Sequence, residues 1–289
     1  MNSTKVQWLP RSVKQKKRIT HFFTYLFLTA FAAFFILPFL WMLRSSLMPM
    51  YQIFINPPIL LPDPVQWSNY VDALTFISFG QYYLNTFTIT ILTVLGVVIT
   101  SSISAYSFSR IKWPGRDKIF GILLSAMMLP FAVTLIPTFI GWKTIGAVDS
   151  YVPLILPAWL GGGIYNVFLL RQFFRGIPRE YDEAAFMDGA GHFVIFSRVI
   201  LPLTKPALIT VALFSFLGCW NDFLGPLVYL NTESKYTVAL GLQQFIGTYS
   251  AQWHLLMAAS TVAVIPVIVL FFIGQKYLIE GISLTGIKG

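Results

Sequence analysis

Four acidic side chains, Glu180, Asp182, Glu183 and Asp188, lie within IPREYDEAAFMDGAG (residues 177–191), in a chain of 289 residues that has only 11. Pro178 suits the first position of a helix, where its missing N–H costs nothing. Glu180, Asp182 and Glu183 then occupy the first turns and complement the positive end of the macrodipole. Tyr181, Ala184 and Ala185 share a face at i, i+3 and i+4. Gly189 and Gly191 permit the positive φ that ends such a helix. A second amphipathic piece follows, HFVIFSRVILP, with Phe193, Phe196, Val199 and Ile200 apolar and Pro202 stopping it. The carboxylates are either dipole complements, worth ~0.3–1 kcal/mol each, or charge offered to a partner.

No other cluster offers chemistry. Cys219 is alone, which excludes a disulfide framework and a thiolate metal site. His21, His192 and His254 fall in separate segments without ligand spacing. No catalytic residue and no metal site are expected. A GxxxxGK[ST] phosphate loop is absent from the sequence, so any ATP used must be bound by another chain.

The solvent around the acidic loop follows from composition. Hydrophobic residues make up 56% of the chain and charged residues 11%, with mean hydropathy +0.70. Soluble domains carry about 25% charged residues, so this is an integral membrane protein. Residues 20–43, 73–109, 119–142, 150–170, 206–221 and 236–275 form uncharged stretches. A helix needs ~20 residues to cross ~30 Å of hydrocarbon. The two longest stretches carry polar leaders and place spans near 86–107 and 255–275. The fifth reaches spanning length only by running past Asp222 to Leu230. Six helices are expected, since runs such as AFAAFFILPFLW lack the alternation of barrel strands. AFA at residues 30–32 mimics a signal-peptidase site, but the apolar run continues to Leu43, as in an uncleaved anchor.

Orientation follows from lysine and arginine. Six basic residues lie in the N-terminal tail, four in loop 110–118, five in the loop holding the acidic motif, and two at the C-terminus. These seventeen stand against Arg44, Lys143 and Lys235 on the other side. Both termini and the acidic loop are therefore expected in the cytoplasm. The net charge of +9 is topological, with anionic lipid near Lys14–Arg18. No clustered basic face on a soluble module exists to bind nucleic acid.

Five prolines between residues 49 and 64 rule out a long helix in the outer loop before Trp67. WSNYVDAL then reads as a short interfacial helix capped by Ser68 or Asn69. The second span bears TSSISAYSFS, small residues that let helices approach closely. Pro130, Pro137, Pro153, Pro157 and Gly161–Gly163 imply kinks and an unwound turn in spans three and four. Those irregularities suit kinked packing and a solute path equally.

Glu183-Ala184-Ala185, three residues, Gly189, nine residues, Val199, one residue and Leu201-Pro202 resemble the EAA loop of ABC importer permeases, EAA-x3-G-x9-I-x-LP. The one departure is valine for isoleucine. ILPFLWMLRSSL, NPPILLPDPVQWSNYVDAL, YDEAAFMDGAG, WNDFLGPLVYL and GISLTGIKG extend the resemblance along the chain, to the smaller permease of maltose-type carbohydrate importers. The resemblance implies a second homologous permease around a shared sugar path, two ATPase subunits below it, and an external binding protein that delivers substrate. It makes the acidic loop the coupling helix, with Glu183, Ala184, Ala185, Asp188, Gly189, Leu201 and Pro202 as the ATPase-coupling residues. Glu183 would face basic groups and Gly189 would make the turn. ATP and Mg would belong to the partner ATPases, and the C-terminal tail would lodge between them.

CWNDFLGPL places Asp222 about 16 residues into a span starting near Pro206, or ~24 Å from its inner end. Ionisable groups there face a cavity or a partner rather than lipid. Either Trp220, Asn221 and Asp222 line the sugar path, as the resemblance implies from the corresponding segment of the partner permease, or Asn221 and Asp222 cap or break the helix before Gly225-Pro226.

The expected fold is thus an all-α integral membrane protein with six transmembrane helices, the type I ABC importer permease fold, and a cytoplasmic EAA loop. Its parts are a basic tail (1–19), a first transmembrane helix (20–43), an external loop (44–80), a core of five transmembrane helices (81–275, EAA loop 176–205) and a C-terminal tail (276–289). It is expected in the bacterial inner membrane as a multi-pass subunit with no enzymatic activity of its own. Rivals are a permease for glycerol phosphate or a polyamine, and an ion-coupled secondary transporter subunit. The second needs intramembrane carboxylates, of which Asp222 is essentially the one candidate.

Overall fold

The computed structural model describes the backbone of residues 11–247 and 251–286, and the side chains of 17–277 apart from 131 and 248–250. Among these residues the chain is helical, with one isolated bridge between Ile246 and Ala251 and no strand. The first helix, α1 (Arg11–Ser46), takes in the expected first span and runs beside helix Trp253–Gly286 while burying almost nothing. The prolines that follow leave room only for α2 (Met50–Ile53) before Trp67. In α3 (Ser68–Phe76) neither expected cap acts as one. Asn69 is buried instead and donates to the Ser46 and Met48 carbonyls, 2.9 Å each, tying α3 to the end of α1. Of the expected tails, residues 1–10 and 287–289 lie outside the described residues, and helix Trp253–Gly286 carries the backbone to Gly286.

The axis of the bundle is α4 (Phe79–Arg110), 32 residues without a proline. The expected third span is two helices, α5 (Arg116–Ala126) and α6 (Phe131–Thr144), interrupted just before Pro130. The fourth is likewise two, α7 (Val152–Trp159) and α8 (Ile164–Gly176). Gly161, Gly162 and Gly163 turn the chain between them with φ of 126°, 70° and 79°. A Cβ on Gly162 would lie 2.6 Å from the Ser101 Cβ and backbone nitrogen. The break therefore presses directly on the small-residue stretch of α4. Thr100 Oγ1 donates to the Ala158 carbonyl (2.8 Å) and Asn166 Nδ2 to that of Gly162 (2.8 Å), so the loosened backbone is satisfied inside the protein.

Among the described residues four segments are long and apolar enough to cross a membrane: Lys17–Ser46, Phe79–Arg110, Val152–Gly176 and Trp253–Tyr277. A fifth is added if the pair His192–Leu203 and Lys205–Trp220, bent by 78°, counts as one. The remaining expected span falls on α5 and α6, each too short alone. Two cores result. One gathers Tyr106, Phe174, Ile195, Ile200 and Val211 at the end carrying loops 110–118 and 176–205, here the basic end. The other gathers Ala73, Tyr82, Val238, Phe245 and Ala259 at the opposite end.

Candidate functional site

The acidic stretch forms α9 (Glu180–Met187) at the basic end. Pro178 stands before the first turn rather than in it. Ile177 is extended, as a residue preceding proline prefers, and the Arg179 carbonyl accepts the first helical N–H groups, from Asp182 (2.9 Å) and Glu183 (3.0 Å). Glycine closes the helix at Gly189, φ 79°. The Gly189 N–H reaches the Phe186 carbonyl (3.0 Å) and the Ala190 N–H that of Ala185 (2.9 Å), a Schellman closure. A Cβ on Gly189 would meet open space, so only the backbone conformation demands glycine. Gly191, expected to share that role, has φ −82°.

Helix His192–Leu203 contains a π-type turn, Ile195–Ile200. Ile195 and Ile200, five apart, are both fully buried, the spacing that i→i+5 bonding aligns. The widened turn shifts the apolar face: Phe196 and Val199 pack on the core, while Phe193 stays 79% exposed. Pro202 lies in the last turn with its surface exposed, Leu201 is half-buried beside it, and the chain bends at Thr204.

The four carboxylates divide. Asp182 is buried, its Oδ2 3.0 Å from Arg110 Nη1 and 3.9 Å from Arg179 Nη1. Arg110 also donates to the Phe174 carbonyl and, at 2.8 Å, to that of Ile177, where α8 ends. Arg179 donates back to the Ser109 (2.8 Å) and Arg110 (3.1 Å) carbonyls, where α4 ends. Two guanidiniums and one carboxylate thus tie α4, α8 and α9 together. Glu180, Glu183 and Asp188 remain exposed, with Ala184, Phe186 and Met187, the last 88% exposed. Ala185 turns partly inward onto the core. A cavity of about 390 Å³ opens between α4 and α9, lined by Tyr106, Lys112, Glu183, Phe186 and His192 among others. Tyr106 Oη and His192 Nδ1 are 3.1 Å apart across it.

At the opposite end Trp220, Asn221 and Asp222 do not converge. Trp220 is buried, donating to the Ala263 carbonyl (3.0 Å) and stacked on Phe216. Asn221 donates to the Leu217 carbonyl of its own helix (2.8 Å). Asp222 Oδ1 accepts the Gly225 N–H (3.0 Å) at the start of helix Leu224–Tyr229, the geometry of a cap. Asp222 also borders a small cavity with Thr86, Leu154, Cys219 and Thr237.

Three residues counted in the sequence only as charge turn out to organise these regions. Arg110 and Arg179 make the clasp just described. Asp149, at φ 60°, accepts N–H groups from Asn231 and Thr232 (2.9 Å each), the Thr232 hydroxyl and the Lys235 ammonium (2.9 Å). The Thr232 hydroxyl, then the amides and Lys235, hold its carboxyl well below the usual carboxylate range. A lone arginine closing a small-residue span is the one sequence signal that could have marked Arg110.

Among the described residues no group of histidine, cysteine and carboxylate side chains could hold a metal ion. Comparison with known proteins places the chain. Residues 97–283 match the family described as binding-protein-dependent transport system inner membrane component. The diacetylchitobiose uptake system permease protein NgcG of Streptomyces coelicolor is 31% identical over 250 residues, 86% of this chain and 82% of that one. The maltodextrin transport system permease protein MdxG of Bacillus subtilis is 34% identical over 272 residues, 92% and 95% of the two chains. A chain of the bacterial ABC transporter that imports the acidic polysaccharide alginate superposes with a TM-score of 0.79 at 25% identity, covering 94% of this chain and 99% of its own. The multi-helix bundle, the motif of the acidic loop and these matches agree: the chain belongs to the binding-protein-dependent transport system inner membrane component family, the multi-pass permease subunits of ABC importers.

Proposed function

We propose that this permease pairs with a second, homologous one to form the path for a sugar or oligosaccharide, delivered by an extracytoplasmic binding protein and driven by two ATPase subunits that hold the ATP and Mg. The named substrates of the 31% and 34% identical relatives support the carbohydrate class. Both termini and the acidic loop lie in the cytoplasm, as the distribution of basic residues argues.

One observation carries the coupling role. α9 is fastened at its root by the buried Asp182, while its free surface presents Glu183, Ala184, Phe186 and Met187. A charge ringed by exposed apolar side chains suits a partner's cleft. Glu183 and Asp188 offer charge to the ATPase, Ala184 permits close approach, and Ala185, Gly189, Leu201 and Pro202 hold the two short helices in place. Glu183→Lys reverses the offered charge outside the bilayer. It should abolish transport while the permease still inserts and pairs, measured by uptake in vesicles beside the yield of the purified complex. Normal uptake by the variant would overturn the coupling role.

A further inference from the structure

α4 is held at both ends. At the basic end its Arg110 grips Asp182 of α9, and Arg179 grips the last carbonyls of α4. At the other end three successive contacts hold the loop after helix Leu224–Tyr229. The Tyr82 hydroxyl donates to Glu233 (3.0 Å), Asn85 Nδ2 donates to the Ser234 and Tyr236 carbonyls (2.9 Å each), and Thr86 Oγ1 accepts the Val238 N–H (2.8 Å). Tyr82, Asn85 and Thr86 are all buried. From Tyr82 to Arg110 the helix runs unbroken for roughly 40 Å, whereas the spans built from α5–α6 and α7–α8 are both interrupted.

This difference sorts the helices by what they can transmit. A broken span absorbs displacement at its break. An unbroken helix with buried polar contacts at each end carries displacement along, because sliding it strands donors and carbonyls without water. Asp182 belongs to the acidic loop by sequence, yet it faces inward. Its role is to join α9 to α4 rather than to meet the ATPase.

We propose that Arg110 is a positioning residue for coupling: through Asp182 it locks α9 to α4, and α4 delivers the movement of α9 to loop 231–238 at the outer face. This rests on the coupling role assigned to α9 above.

The test uses the whole transporter in proteoliposomes with its ATPase, partner permease and loaded binding protein. It reads the ratio of binding-protein-stimulated to basal ATP hydrolysis, which a mere loss of folded protein leaves unchanged. Asp182→Asn at one end and Asn85→Leu at the other should each lower that ratio by about 5-fold or more. The double variant should fall no lower than the worse single, because a rod released at one end has nothing further to lose. Effects that multiply in the double variant, as independent sites beyond ~10 Å do, would overturn the proposal. So would an unchanged ratio in either single. If Asp182→Asn does not assemble, Arg110→Lys takes its place and is held to the same outcomes. A wild-type complex that no binding protein stimulates would overturn the importer reading itself, a result distinct from the others.

Discussion

Arg110 and Asp182 stand 72 positions apart in the chain and meet at 3.0 Å, with side chains 2% and 7% exposed. A pair on the surface contributes ~0–1 kcal/mol. A buried one behaves differently, because either partner alone is an uncompensated charge. Asp182→Ala should therefore destabilise the permease by ~3–5 kcal/mol, while Asp182→Leu with Arg110→Met should recover part of that loss, the Phe174 and Ile177 carbonyls still lacking their donor. Melting temperatures of the purified complex decide the matter. Equal losses in the single and double variants would show that the charge balance is not what counts.

Gly189 makes a conformational demand and no steric one, since its φ is 79° and a Cβ there meets open space. Asparagine tolerates that region far better than a β-branched residue. Gly189→Asn should keep most transport and Gly189→Val should lose it, the gap corresponding to ~1–2 kcal/mol of backbone strain. Uptake rates at equal permease content measure the ranking, and equal activities would remove the backbone argument.

Asp149 supplies a pH dependence with a definite sign. Hydrogen bonds, the Thr232 hydroxyl foremost, depress its folded pKa. Its stabilising contribution is then complete above the unfolded value of ~3.9 and fades as pH falls through the lower folded value. Hydrogen exchange at the Asn231 and Thr232 amides should show protection that is steady from about pH 5 to 8 and erodes progressively as pH falls below ~3.9. Asp149→Ala should abolish it at every pH. Protection lost already near pH 5 would mean the carboxylate does not hold the loop.

Asp222 caps helix Leu224–Tyr229 through the Gly225 N–H. Its replacement by alanine should cost ~0.5–2 kcal/mol, visible as a lower melting temperature, with the half-saturation of uptake unchanged. A raised half-saturation at constant melting would place Asp222 on the sugar path instead.

The sequence made the acidic loop legible because its signals are local. Gly189 sits where the backbone turns left-handed, and the apolar residues after it repeat at helical spacing. Local rules went astray where tertiary contacts decide. Asn69 looked like a cap and became a staple between α1 and α3. Asp182 was indistinguishable in sequence from Glu183, since their difference comes from Arg110, which lies 72 residues away in the chain. Phe193 shares an apolar α-helical face with Phe196 and Ile200 in the sequence, yet it lies exposed just before the π-type turn that shifts this face. The breaks in spans three and four were foreseeable from Pro130 and the three glycines, whereas the ring of bonds around Asp149 had no sequence signal at all.

The break at Gly161–Gly163 also bears on how the protein is made. α7 and α8 are 8 and 13 residues long, and neither alone reaches the ~20 needed to cross hydrocarbon. The Ala158 carbonyl accepts the Gly162 N–H of its own segment and also the Thr100 hydroxyl of α4, and the turn at Gly162 is pressed so closely on Ser101 of that helix that only glycine fits. Synthesis from the N-terminus places α4 in the membrane first, as a template. The close fit of Gly162 on Ser101 can form only with α4 beside the segment, so the packed form of the unwound turn depends on a helix that precedes it in the chain.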